Sequence, residues 1–255
     1  MPPKTTRRPL PGLTKSTGYL AHPFDGMHGV RTSGLVAGRH LKTGHAHSRH
    51  ATACYAVAPS VFHTLVRRWQ RMRRAAPMEQ TTFIDIGAGM GRAVLLASEL
   101  PFLRVLGVEM HPALASIARR NLAAWRRAGR GVCPARIVEA DATEMAFPST
   151  PAVLFLFNPF GAMVMRQLLR AIARTYAGRP GELEILYVNH EQESVLETQP
   201  GFTRLWTGRV RRSREDESAD RRILLSQPDG EYAAPAHEDC SIWRWVGTGS
   251  KGTRE

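Results

Sequence analysis

The segment "TTFIDIGAGMGR", residues 81–92, constrains this chain more than any other: an apolar run ends in Asp85, and Gly87, Gly89 and Gly91 follow on alternate positions. Glycine lacks a Cβ, so such a turn takes up positive φ and lets a ligand rest on bare backbone. The apolar run predicts a short buried strand, and "GRAVLLASEL" predicts the helix it feeds. A strand-to-helix turn of this kind implies a nucleotide-like ligand at the strand's carboxyl end. The dinucleotide fingerprint is G-x-G-x-x-G with an acid about 20 residues further on. Here the third glycine comes one residue early, Arg92 stands in its place, and Asp85 precedes the loop where it would repel a pyrophosphate. The order D-x-G-x-G-x-G suits a ligand that carries positive charge and no phosphate.

The rest of the chain extends that unit by alternation. "RVLGVEM" predicts a second strand, "PALASIARRNLAAWRRA" a helix opened by Pro112, "ARIVEAD" a third strand and "AVLFLFN" a fourth. "AMVMRQLLRAIARTYA" then predicts a helix and "ELEILYVN" a fifth strand. Strands separated by helices of this length imply a parallel sheet with right-handed crossovers and helices on both faces. Ligands of such sheets bind beyond the carboxyl ends of the strands, where the strand order reverses. Upstream, Val61, Phe62, Leu65, Val66 and Trp69 recur at helical spacing, with Ser60 placed to cap that helix. Downstream, "FTRLWTGRV" predicts a sixth strand and "SIWRWVG" the seventh, with Ile242, Arg244 and Val246 on one face and Trp243 and Trp245 on the other. Residues 209–228 are then expected to form an extra hairpin around an exposed charged turn.

With these motifs in hand, the sequence resembles the seven-strand, class I methyltransferases that use S-adenosylmethionine (SAM), over residues 55–190. "FIDIGAGMG" is similar to the family's first motif, which implies that Asp85, Gly87, Ala88, Gly89 and Gly91 hold the methionine end of SAM. Glu109, 24 residues after Asp85, and its neighbour Met110 stand where the family holds the ribose. A carboxylate suits a diol because it accepts two hydrogen bonds. Asp141 and Ala142 in "VEADAT" match the position that meets the adenine. "LFLFNPFG" is similar to the Asn-Pro-Pro-aromatic signature of enzymes that methylate nitrogen, which implies Asn158 as an acceptor of the target amine's hydrogens and Phe160 as a ring packed on the substrate. "YAVAPSVF" resembles the Tyr-x-x-x-Pro element of seven-strand protein-lysine methyltransferases and implies Tyr55 as a cofactor or substrate contact. The acceptor expected is therefore a protein lysine or a small amine.

Composition bounds what surrounds that site. With 43% hydrophobic residues in 255, the chain can bury one large core. No run approaches eighteen apolar residues and no apolar segment follows the start, so neither a membrane span nor a secretory signal is expected, and a cytoplasmic protein is. Three distant cysteines, Cys54, Cys133 and Cys240, fit neither a disulfide framework nor a zinc set. The net charge of +13 belongs almost wholly to residues 1–80, which hold 13 basic against 2 acidic side chains. That segment would attract nucleic acid or an acidic partner by a salt-sensitive field, or serve as a solvated arm. His40, His45, His47 and His50 crowd a Gly-rich stretch without a carboxylate or cysteine at ligand spacing, so it reads as a polar loop and no metal is expected. His190 is a candidate base by position and reads as an exposed loop residue.

The expected division is a disordered basic arm over 1–20, an irregular Gly/His-rich lid over 21–58, the SAM-dependent domain over 59–247 and a disordered tail over 248–255. The function expected is methyl transfer by in-line displacement. A nucleotide-dependent oxidoreductase and a non-catalytic SAM-binding or nucleic-acid-binding module are the alternatives; glycine spacing and cofactor preference discriminate the first, and binding without turnover the second.

Overall fold

Strand β1 (Thr82–Ile86) is buried at all five positions, so both of its faces must pack. The computed structural model describes residues 19–72, 75–226 and 235–248. In it β1 pairs in parallel with β2 (Arg104–Glu109) on one side and β4 (Ala152–Phe157) on the other. β3 (Ala135–Glu139) lies outside β2, and β5 (Leu183–Val188) outside β4, again in parallel. β7 (His237–Trp245) runs antiparallel between β5 and β6 (Phe202–Arg211), which gives the order β3-β2-β1-β4-β5-β7-β6. The fold is thus the expected Rossmann-like, mostly parallel seven-strand sheet. Its strand order reverses between β1 and β4.

Alternation along β1 sends Phe83 to one face and Ile84 and Ile86 to the other. On the first face Phe83 meets Phe102 with ring centroids 5.1 Å apart, and Phe62 of α2 (Pro59–Gln70) stands 5.5 Å from Phe155. Helices α3 (Arg92–Ser98) and α4 (Pro112–Arg127) complete this layer. The second face takes α5 (Ala162–Thr175), α6 (Glu193–Thr198) and the rings of Tyr176, Tyr187, Trp243 and Trp245. Each fully buried aromatic or large aliphatic side chain here contributes about 1.5–3 kcal/mol from apolar burial. On the first face the buried carboxylate of Glu184 on β5 accepts from Trp69 Nε1 at 2.6 Å and from Arg244 Nε at 2.9 Å.

Three expectations need correction. Residues 214–225 form helix α7 (Arg214–Leu225) and not part of a hairpin, because Ser213 Oγ caps Asp216 N at 3.1 Å, three acids in the first turn favour the helix dipole, and Ala219 and Ile223 bury one face. Ser60 does not cap α2: the cap position is Ala58 and Pro59 opens the helix, while Ser60 N donates to Asp216 Oδ2 at 2.8 Å. The 21–58 segment holds helix α1 (Pro23–His28) and two 3-10 turns in an otherwise irregular path, with Asp25 accepting from Thr32 N and Ser33 N at 2.8 Å each. His190 is half-buried, its Nδ1 2.9 Å from Glu193 Oε2 and 3.1 Å from Ser241 Oγ. Apart from Tyr19, Leu20 and Thr248, the expected arm and tail lie outside the described residues. No described helix is long and apolar enough to cross a membrane.

Candidate functional site

A cavity opens at the carboxyl ends of β1, β2, β3 and β4, at the reversal of strand order, and measures about 990 Å³ counted out to its mouth. Its floor is the glycine turn. Gly87, Gly89 and Gly91 have φ of +73°, +54° and +91°, all in the left-handed region that a side chain rarely adopts. A Cβ on Gly87 would lie 2.6 Å from Pro159 Cβ, and one on Gly89 would lie 2.9 Å from Cys54 Sγ. The turn therefore needs glycine both for its conformation and for the closeness of what crosses it.

Three acids stand at the ends of three neighbouring strands. Asp85 is 4% exposed, and burial, followed by the proximity of Glu109, pushes its carboxyl up to about 8. Glu109 accepts from Gly89 N and from His111 N at 2.7 Å each; burial still raises it, to about 7, against the lowering effect of those donors. Asp141 is held by Thr143 N and Thr143 Oγ1, both 2.7 Å from its Oδ1. Burial opposes its ionisation, but those Thr143 bonds and His47 hold it below the usual carboxylate range. A wall with these groups favours a ligand that brings cationic charge and N–H or O–H donors.

Of the residues singled out in the sequence, Tyr55, Asp85, Gly87, Ala88, Gly89, Glu109, Met110, Asp141, Ala142 and Phe160 all line this cavity. Gly91 and Asn158 lie outside its wall. Gly91 instead takes the cap position of α3, backed by Ala118 at 3.2 Å from where a Cβ would sit. Asn158 adopts φ +40°, is 7% exposed and has a buried Oδ1 without a hydrogen-bond partner among the described residues. The Tyr55 phenol is pushed above its ordinary value by burial and then by the facing Asp220 of α7.

Within the segment read from the sequence as a lid, residues 45–57 form a strap that roofs the cavity with His47 and the run Ala51–Val57, of which only Tyr55 was singled out as a contact. The strap is tied to the loop after β4: Ala51 bridges Phe160, Thr52 N donates to Pro159 O at 3.4 Å, and the Thr52 hydroxyl donates to Asn158 O. Arg92 was also missed as a wall residue. It is 3% exposed and donates to Thr32 Oγ1 at 2.8 Å, Ser33 Oγ at 3.0 Å and Val57 O at 3.3 Å, fastening the N-terminal segment to the glycine turn. Its basic type at the third-glycine position was the available signal.

No family model matches the chain, and no curated protein matches it. Solved structures similar to it include a ribosomal protein L11 methylase from Lactobacillus delbrueckii subsp. bulgaricus, at 14% identity over 72% of this chain and 77% of that one, with a TM-score of 0.43. An RNA methyltransferase from Salinibacter ruber in complex with S-adenosyl-L-homocysteine (SAH) is 16% identical over 78% of this chain and 99% of that one, TM-score 0.45. The [4+2]-cyclase SpnF is 12% identical over 75% of this chain and 82% of that one, TM-score 0.49. At these values the likeness is one of chain fold, and a cyclase stands in it beside methylases.

Proposed function

We propose that this chain is a SAM-dependent methyltransferase. The observation that carries the reading is the set of three acids, Asp85, Glu109 and Asp141, at successive strand ends around one positive-φ glycine turn in one cavity. The residues fit SAM on their own chemistry. The cofactor supplies a methyl group on a cationic sulfonium, together with an ammonium, a ribose diol and an adenine amine. Asp85 and Glu109, both buried, favour the cationic and hydroxyl-bearing part, and each Glu109 oxygen keeps a lone pair beyond its backbone donor. On Asp141, two Thr143 donors occupy Oδ1 and His47 Nδ1 lies 2.6 Å from Oδ2, so Oδ2 keeps one further lone pair to offer the adenine amine. Asp141, held ionised, opposes a pyrophosphate directly, and Asp85 and Glu109 would have to stay protonated beside one, which weakens the oxidoreductase alternative.

The protein's part in catalysis is alignment and exclusion of water. An acceptor atom held in line with the methyl carbon and the sulfur gains up to about 7–11 kcal/mol from pre-arranged geometry. A new bond forms to the acceptor as the carbon–sulfur bond breaks, its electron pair staying on sulfur. We favour nitrogen as the acceptor. Asn158 sits just behind the wall residues Pro159 and Phe160, and its Oδ1, without a partner among the described residues, would be the buried acceptor for an amine that reaches past them. The Asn158 and Pro159 backbone carbonyls already accept from Thr52, so the side-chain amide is the group this loop has left for an amine. Protein lysine and small amines both satisfy this chemistry.

Calorimetry tests the cofactor assignment: SAH and SAM are expected to bind at about 10 µM or tighter and NAD not to bind. The reverse preference would overturn it. Radiolabelled SAM incubated with the protein and a cell lysate then shows whether label enters protein, nucleic acid or small molecules; label confined to nucleic acid or to oxygen esters would remove the amine assignment.

A further inference from the structure

At the rim of the cavity the strap and the loop after β3 bring together three side chains that methyl transfer does not require as a set. One ring nitrogen of His45, one of His47 and a carboxylate oxygen of Asp141 all lie within 4.8 Å of one another, and among the described residues no other group of His, Cys, Asp and Glu has this spacing. We propose that His45, His47 and Asp141 form a binding site for a late first-row divalent cation such as Zn²⁺, one that joins the strap to the sheet.

The geometry is that of a chelate waiting to open slightly. Ligands about 2.0–2.1 Å from a tetrahedral ion stand roughly 3.3–3.5 Å from each other. His45 Nδ1 and Asp141 Oδ2 are already 3.5 Å apart, whereas His47 Nδ1 and Asp141 Oδ2, hydrogen-bonded at 2.6 Å, must separate by less than about 1 Å to admit the ion. Asp141 is oriented for this from behind, since Thr143 N and Oγ1 both fix its other oxygen at 2.7 Å. Such outer partners commonly aim a metal-binding carboxylate. The two rings, with centroids 5.4 Å apart, are placed by the 3-10 turn Ala46–His50, which His45 caps. Two imidazoles with one carboxylate select Zn²⁺, Co²⁺, Ni²⁺ or Cu²⁺ over Mg²⁺ and Ca²⁺. With side-chain exposures of 39% for His45, 15% for His47 and 7% for Asp141, the site is reachable from solvent, and water completes the coordination. An ion there replaces one hydrogen bond between strap and sheet by two or three metal bonds, so it closes the roof of the cavity.

The full chain, stripped of metal with a chelator and dialysed, is titrated with Zn²⁺ alone by calorimetry and with Co²⁺ alone by visible absorption. One equivalent of each ion should bind, with Co²⁺ developing the ligand-field bands of low coordination. His45→Ala, which removes an exposed ring together with its cap to His47 N, should lower the melting temperature by no more than a few degrees and weaken Zn²⁺ binding by at least about tenfold. His47→Ala should do the same, and His190→Ala, at a distant His–Glu pair, should bind Zn²⁺ as the unaltered chain does. Should His47→Ala fail to fold, His45→Ala decides alone. Failure of Zn²⁺ to bind, or binding that His45→Ala leaves unchanged, overturns the site.

Discussion

Replacing Asp85 by asparagine tests the electrostatics of the cavity floor. Asp85 is 4% exposed and its carboxyl is raised from 3.8 to about 8, by burial first and Glu109 second. Between those two values the folded chain holds a proton that the unfolded chain has lost. Stability of the ligand-free protein therefore falls as pH rises from about 4 to about 8 and levels off above it. At 1.36 kcal/mol per unit, the full shift has a ceiling of about 6 kcal/mol. Of that, the range from pH 5 to pH 8 holds at most about 4 kcal/mol, and because buried sites respond as if the interior were far more polarisable than dry protein, we expect about 2 kcal/mol over that range. The asparagine amide does not titrate in this range. Asp85→Asn should melt with the unaltered protein at pH 5 and about 4–8 °C above it at pH 8. Glu109, raised to about 7, tilts both curves alike, and the difference between them isolates Asp85. Scanning calorimetry of both proteins without ligand from pH 5 to pH 9 measures it. Melting curves that stay parallel from pH 5 to pH 9 would refute the claim that a buried, proton-holding Asp85 sits under this cavity.

Three other substitutions probe different links. Gly89→Val should abolish SAH binding in calorimetry while the chain still folds with a lowered melting temperature, because the side chain meets Cys54 Sγ at 2.9 Å and is strained at φ +54°; normal SAH affinity would show that the turn does not approach the ligand. Asn158→Ala should leave SAH affinity within a few-fold and slow single-turnover methyl transfer by roughly 10² or more, with Asn158→Asp retaining more activity; unchanged turnover per folded molecule would remove the amine assignment. Gly201→Ala should cost about 2 kcal/mol or more, since φ is +89° and a Cβ would stand 2.4 Å from the Trp245 ring; a melting temperature within a degree of the original would show that Trp245 moves aside freely.

The sequence by itself determined the sheet, its helices and most of the cavity floor. Periodicity and glycine placement are properties of neighbours in the chain, so "FIDIGAGMG" announces a buried strand, a positive-φ turn and a helix whatever packs around them. The acids at residues 85, 109 and 141 could be assigned to one site for the same reason, since parallel strands put their carboxyl ends on one edge. Helix α7 was missed although its cap, acidic first turn and Ala219–Ile223 pair are local, because the density of charge in "RRSREDESAD" masks a one-sided apolar face. What only the tertiary structure decided lies between segments far apart in sequence. His47 meets Asp141 across 94 residues, Thr52 meets Asn158 across 106, Arg92 reaches Thr32 across 60, and Ser60 meets Asp216 across 156. Those pairings turn a Gly/His-rich stretch into a roof and supply the carboxylate that its histidines lack locally. They depend on where the sheet's edges and the strap come to rest, a consequence of packing the whole core that no local spacing encodes.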